Sequence, residues 1–197
     1  MLIGIMGKTG SGKSTITKLL NEQDKFLVID VDKINHKLLE KEEVKQIIKE
    51  RYDVLENNQI NRKKLGIILY QNQSEMSWYN NLIWTYLEKE LDLIINNTTK
   101  PVILDWMMLP LTKFYDMCDF KILVESNIET RMERILKRDN ISEKHFILRD
   151  KNGLNYNKKD MDIIIDNSKG VDINEIKSLN SLNGNLLSIG QMLKIPT

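Results

Sequence analysis

Near its N-terminus the chain reads L-I-G-I-M-G-K-T-G-S-G-K-S-T, and Gly7-Lys8-Thr9-Gly10-Ser11-Gly12-Lys13-Ser14 meets the pattern G-x-x-x-x-G-K-[ST] at every fixed position. The pattern restricts the fold tightly, because it works only where a strand hands a glycine turn directly to the start of a helix. The flanks comply: residues 2–6 are a short apolar run, and after the turn Ile16, Leu19 and Leu20 recur at helical spacing. Gly7 and Gly12 let the backbone curl so that successive N–H groups point at phosphate oxygens, backed by the positive end of the helix. Gly10, Ser11, Gly12, Lys13, Ser14 and Thr15 are therefore expected to line a nucleotide triphosphate such as ATP. Lys13 should reach the β- and γ-phosphates, and the Ser14 hydroxyl should ligate Mg²⁺.

Beyond the turn, apolar runs alternate with helical patterns. Residues 26–29 lead into Asp30-Val31-Asp32 and a helical stretch through His36, Leu38 and Leu39. Further strands are predicted over 101–105, 120–125 and 161–165, with a helix over 128–137 between the last two. Alternation of this kind implies an α/β fold: a three-layer α/β/α sandwich on a five-stranded parallel sheet. Residues 42–97 are charged, amphipathic and interrupted chiefly at Glu56-Asn57-Asn58 and Gln71-Asn72-Gln73-Ser74, so they read as a helical insert of three helices, the last over 75–95. Parallel connections are right-handed and ligands collect beyond the carboxyl ends of the strands. The glycine turn, Asp30, Asp32 and Asp105 should accordingly meet in one crevice.

Asp30 and Asp32 stand two apart at a strand end, where extended backbone would send both carboxylates to the same side. A carboxylate there can orient an attacking hydroxyl or take its proton; one of the pair can equally cap the next helix. Val102-Ile103-Leu104-Asp105 has the form of a buried strand ending in a metal-binding acid. Arg131, Arg134 and Arg138 share one helical face, with Lys137, His145, Arg149 and Lys151 close by, and Ser142-Glu143 marks a plausible short-helix start. Such stacked cations repel unless an anion compensates them, which a triphosphate in transfer would do, while Glu129, Glu133 and Asp139 are local alternatives. Asp166-Asn167-Ser168-Lys169-Gly170 follows the last strand, either as a loop against the base or as an ordinary turn.

Composition bounds the setting. The 197 residues are 41% hydrophobic, enough for one domain with its own core. A net charge of +1 gives no overall attraction to nucleic acid or to an anionic membrane. One cysteine, Cys118, cannot form an internal disulfide, and neither a secretory signal nor a membrane-spanning apolar run is present, so a cytoplasmic protein is expected.

Taken together, these segments resemble the dephospho-CoA kinase family of phosphate-loop kinases over residues 2–177. The resemblance lies in I-G-I-M-G-K-T-G-S-G-K-S-T, in L-V-I-D-V-D for the family's D-x-D, and in N-R-K-K-L-G-I-I-L-Y for its D-R-x-x-L-g-x-x-v-F. It continues through V-I-L-D, R-M-E-R-I-L-K-R-D-N-I-S for R-l-x-x-R-d-g-l-s, and D-I-I-I-D-N-S-K-G for v-I-d-N-x-g. It implies transfer of the ATP γ-phosphoryl group to the ribose 3′-hydroxyl of dephospho-CoA, with Mg²⁺. Asp32 would be the catalytic acid–base, Lys13 the phosphate-binding lysine, Arg134 and Arg138 the lid arginines, and the loop at Asn167 would flank adenine. The kinase domain would span 1–177, with an acceptor-binding insert over about 42–97 and a lid over about 138–157. The departures sit on the acceptor side. Met107-Met108-Leu109-Pro110-Leu111 lacks the acid of the family's P-L-L-[FV]-E, no His-Pro occurs around Trp84 to Tyr86, the arginine after D-x-D is His36, and the lid-end glutamine has no counterpart around Arg149 to Lys151. A related kinase of nucleosides, nucleotides or another small alcohol, and a non-catalytic ATP-binding homologue, stay open on the sequence. The tail over 178–197 contains L-L-S-I-G-Q-M-L-K-I-P, similar to the closing strand of a LysM carbohydrate-binding repeat but too little of one to fold alone.

Overall fold

In the computed structural model, residues 1–22 and 24–171 are described. Five parallel strands form the sheet: β1 (Leu2–Met6), β2 (Leu27–Asp30), then, after a β-hairpin of β3 (Leu55–Glu56) and β4 (Gln59–Ile60), β5 (Val102–Asp105), β6 (Phe120–Glu125) and β7 (Ile163–Asp166). The order across the sheet is β2-β5-β1-β6-β7, so β1 lies at the centre with its carboxyl end between those of β5 and β6.

Side-chain alternation divides the core in two. Leu2, Met6, Val102 and Leu104 enter one apolar cluster, while Ile3, Ile5 and Ile103 enter the other with Ile16 and Leu20 of helix α1 (Lys13–Leu20). Gly4 belongs to the first face. A Cβ there would lie 2.6 Å from Leu109 Cδ2 and 2.9 Å from Cys118 Sγ, so close packing of the segment after β5 requires glycine.

The insert supplies most of that first face. It comprises α3 (Glu42–Arg51), the hairpin, α4 (Arg62–Gln71) and α5 (Gln73–Asn96), and α2 (Val31–Leu38) precedes it. On α5, Tyr79, Ile83, Leu87 and Leu91 recur every four residues and are buried, and the helix packs on both α2 and α4. The hairpin replaces part of the expected all-helical insert. Asn57 and Asn58 adopt φ of 49° and 62°, the left-handed pair that a type I′ turn needs and that asparagine tolerates. After β5 comes α6 (Phe114–Met117), and after β6 come α7 (Ile128–Asp139) and α8 (Glu143–Lys151). Ser142 caps α8, its hydroxyl accepting from the His145 amide at 3.4 Å, as its position before Glu143 suggests. Among the described residues no helix is long and apolar enough to cross a membrane.

Candidate active site

The glycine turn is fastened from behind. The Ser11 carbonyl accepts from Asn167 Nδ2 at 2.9 Å, Ser126 Oγ at 3.1 Å and Arg134 Nη1 at 3.4 Å, and the Gly10 carbonyl accepts from Arg134 Nη1 at 3.3 Å. With its carbonyls engaged on that side, the turn presents the amides of the first turn of α1, which have no intrahelical acceptor. Gly12 caps this helix at φ 93°, and a Cβ there would lie 2.0 Å from Asn167 Nδ2. Lys13 Nζ donates to the Gly7 carbonyl at 3.0 Å, and burial draws its ammonium below the usual lysine range against the pull of Asp105 and Asp32. Thr15 follows on the exposed side of the first turn.

Three carboxylates gather at the adjoining strand ends. Asp105, buried at the end of β5, accepts from Ser14 Oγ at 3.4 Å and Thr17 Oγ1 at 3.3 Å, and burial raises its carboxyl pKa while Lys13 opposes the rise. Asp30 and Asp32 do not share an extended segment as expected. Asp30 Oδ1 accepts the Lys33 amide at 3.2 Å and caps α2, so the chain turns helical at Val31 and Asp32 sits in the first turn. Both remain on the crevice, because both charges act on Lys13 and on Asp105. Asp32 makes no hydrogen bond or ion pair among the described residues.

The arginines of α7 have separate tasks, and their charges are met from within the protein. Arg131 is buried; it donates to Asp150 Oδ1 at 2.5 Å, to the Ser126 carbonyl at 3.2 Å and to the Thr9 carbonyl at 3.4 Å. Arg134 adds to its turn contacts a bond to the Asn167 carbonyl at 2.8 Å, so it ties the glycine turn to the loop after β7. Arg138 reaches Asp139 at 2.7 and 3.2 Å, and Arg149 of α8 shares that carboxylate at 2.9 Å. These two guanidinium groups, Arg138 first, hold the Asp139 carboxyl below its ordinary range. Arg138 is also within reach of the Asp32 and Lys13 charges. Helical spacing shows only that these arginines share α7; Arg138 finds Asp139 on the same helix, whereas the partners of Arg131 and Arg134 come from other elements. The fully buried Phe146 seats α8, and the Tyr156 hydroxyl donates to the Met107 carbonyl at 2.9 Å.

The glycine turn after the central strand β1, the Asp32 carboxylate and the paired Arg138 and Arg149 gather at the carboxyl ends of the parallel strands. Known proteins say which family builds this. The family model for dephospho-CoA kinase matches residues 1–172. The chain belongs to the dephospho-CoA kinase family. The dephospho-CoA kinase of Leptospira interrogans is 32% identical over 192 residues, covering 91% of this chain and 91% of that one. That of Helicobacter pylori is 31% identical over 188 residues, covering 88% and 92%. Among solved structures, TT1252 from Thermus thermophilus has a TM-score of 0.73 at 20% identity, covering 93% of this chain and 98% of its own. Dephospho-CoA kinase from Campylobacter jejuni has a TM-score of 0.62 at 21% identity, covering 97% and 98%. Both share the fold. A LysM domain model matches residues 165–196. Its first residues belong to β7, while the tail over 178–197 and its LysM-like end lie outside the described residues.

For a dephospho-CoA kinase family member, one contributor, Thr17, belongs to no motif that the sequence displays. Thr17 stands three residues after Ser14, a spacing that puts both hydroxyls on the Asp105 side of α1. Asp139 is one of the local acids expected to meet the basic face, and it does meet Arg138; its bridging to Arg149 depends on how α8 folds back.

Proposed function

We propose that the protein transfers the γ-phosphoryl group of ATP to the ribose 3′-hydroxyl of dephospho-CoA, giving CoA and ADP. One observation carries the reading: Asp32, without a partner in the described protein, lies close enough to Lys13 and Asp105 for its charge to act on both. An alcohol held at Asp32 would therefore face a phosphoryl group held at Lys13.

The amides of the turn and Lys13, once it leaves the Gly7 carbonyl, bind the β- and γ-phosphates. Asp32 orients the acceptor hydroxyl and takes its proton as the bond to phosphorus forms. Arg138 closes over the transferring group with Arg149, both set by Asp139, while Arg134 serves from beneath by fixing the turn. Asn167, fastened to Ser11, fixes the loop that would flank adenine. Ser14, Thr17 and Asp105 offer hydroxyl and carboxylate oxygens, the hard donor set that suits Mg²⁺, and would hold the ion directly or through water. When bound, Mg²⁺ neutralises charge on the β- and γ-phosphate oxygens. The segment over 138–157 serves as the lid, and the insert over 42–97 holds the acceptor. The reading suits the cytoplasm: the single thiol, Cys118, is buried, and burial pushes its pKa up to about 12, so it is unreactive.

ADP release measured with and without dephospho-CoA, alongside nucleosides and other small alcohols, tests the reading. ADP production that depends on dephospho-CoA, with CoA as product, is expected. Robust activity on nucleosides with none on dephospho-CoA would replace it, and ATP binding without ADP from any acceptor would mark a binding module.

A further inference from the structure

The outer limb of the glycine turn is held by a closed ring of contacts. Thr9 gives two of them: its carbonyl accepts from Arg131 Nη1 at 3.4 Å, and its hydroxyl donates to Met107 Sδ at 3.8 Å. Arg131 carries the ring to α8 through Asp150 Oδ1 at 2.5 Å and through the Phe146 ring, whose centroid lies 5.8 Å from the guanidinium carbon. Lys8 of the turn stands 4.0 Å from the same carboxylate oxygen. From α8 the chain continues to Tyr156, which closes the ring, its hydroxyl donating to the Met107 carbonyl at 2.9 Å. Two residues on, Lys158 pairs with Glu125 at the end of β6, at 2.6 Å.

A phenol that meets a loop carbonyl is ordinarily part of close packing. Here the packing is incomplete. A cavity of about 330 Å³ opens between the segment around Tyr156 and the turn, with Lys8, Ser11, Arg131, Asn155 and Tyr156 on its walls. The buried hydroxyl of Ser11 has no hydrogen-bond partner among the described residues. The segment is thus carried past the turn by polar ties at its ends, and loss of a tie would let it shift where a filled interface would resist. The Lys158–Glu125 pair is exposed on both sides and holds weakly. Tyr156 is the firmer tie: its ring is half-buried against the first core cluster, and burial pushes its phenol above the usual tyrosine range, so it stays a proton donor.

Resting on the function proposed above, we infer that Tyr156 is a positioning residue for phosphoryl transfer: by fixing the end of the lid to the Met107 carbonyl it holds α8, and with it the Arg149–Asp139–Arg138 bridge, in place over the glycine turn. The path is continuous. Arg149 and Asp150 are neighbours on α8, so the ring that Tyr156 closes also sets the residue that shares the Asp139 carboxylate with Arg138. Met107 opens the segment after β5 that lacks the family's acid, so the same bond joins the lid to the acceptor side. Arginines that meet charge developing in the transition state lose their effect when displaced by about 1 Å, whereas ATP is bound chiefly by the turn amides and Lys13. Loss of the tie therefore acts on kcat ahead of ATP affinity.

Tyr156→Phe removes the phenol oxygen and keeps the ring. In the full chain it should lower kcat for dephospho-CoA-dependent ADP release about tenfold, the worth of one hydrogen bond, with the dissociation constant for ATP within about twofold of wild type. In an Arg138→Ala background the same substitution should change kcat less than about twofold, because the bond acts through that arginine. Hydrogen exchange without substrate gives a second reading: the amides of α8 should exchange about tenfold faster in Tyr156→Phe, and those of β1 and β6 at the wild-type rate. Exchange that quickens across the sheet as well would make the bond purely structural and overturn the inference. A Tyr156→Phe kcat within about twofold of an active wild type, or a tenfold fall that persists in the Arg138→Ala background, would also overturn it and leave the proposed function standing. A wild type that releases no ADP on addition of dephospho-CoA would remove both.

Discussion

Gly12→Ala probes the joint between the phosphate turn and the loop after β7. The glycine holds φ 93° and ψ 22°, a left-handed conformation that costs an L-residue about 1–2 kcal/mol. The added methyl would lie 2.0 Å from Asn167 Nδ2 and 3.3 Å from Asn167 Cγ, far inside contact distance. Asn167 is buried at 4% exposure and its backbone is tied to the Glu125 carbonyl at 2.8 Å, so its side chain must rotate away. Rotation gives up the 2.9 Å bond to the Ser11 carbonyl and leaves a buried amide unsatisfied, at about 1–3 kcal/mol. The expected loss is about 2–5 kcal/mol, or a fall in Tm of about 4–20 °C for a domain of this size. Urea unfolding of Gly12→Ala, Asn167→Ala and the double variant separates the two costs. Asn167→Ala removes the colliding amide, so the double variant should be less destabilised than the two single losses combined by at least about 1 kcal/mol. Strict additivity would refute the steric coupling.

Asp105→Asn should stabilise the nucleotide-free protein and abolish the gain in Tm on adding ATP with Mg²⁺. Because burial raises the Asp105 carboxyl above its unfolded value, the folded state holds the extra proton, and wild-type stability falls as pH rises from about 4 through the raised value. The stability advantage of Asp105→Asn should therefore widen over that range and then level off; urea midpoints that show a constant difference would contradict it. Asp150→Ala leaves Arg131, whose side chain is 7% exposed, as an unpaired buried charge and should cost about 3–5 kcal/mol in urea unfolding. The combination Arg131→Met with Asp150→Leu should recover most of that loss, and a double variant as unstable as Asp150→Ala would show that the charges are not the cause.

The parallel strands were readable because strands covered on both faces are continuous apolar runs: V-I-L-D and F-K-I-L-V-E stand out without any partner in view. The glycine turn was readable because its residue types are dictated by phosphate geometry. The hairpin at Asn57-Asn58 was not, since its strands are two residues each and asparagine also interrupts helices. At Asp30 the alternation of a strand was carried one step too far. The same carboxylate that ends β2 caps α2, and a cap forms only when the following residues can turn helical over it. The arginines of α7 show the limit most clearly. Periodicity put Arg131, Arg134 and Arg138 on one face, but Asp150, Ser126 and the carbonyls of the turn that receive Arg131 and Arg134 lie outside that helix.

Asp32→Asn keeps the size of the side chain and removes its charge, so it separates phosphate binding from phosphoryl acceptance. Titration of the variant with ATP, paired with its rate of ADP release on dephospho-CoA, should show near-normal ATP affinity and turnover reduced about 10²–10⁴-fold, the range that a general base contributes. Turnover close to wild type, with ATP bound normally, would contradict the claim that Asp32 and the glycine turn bring hydroxyl and phosphate together.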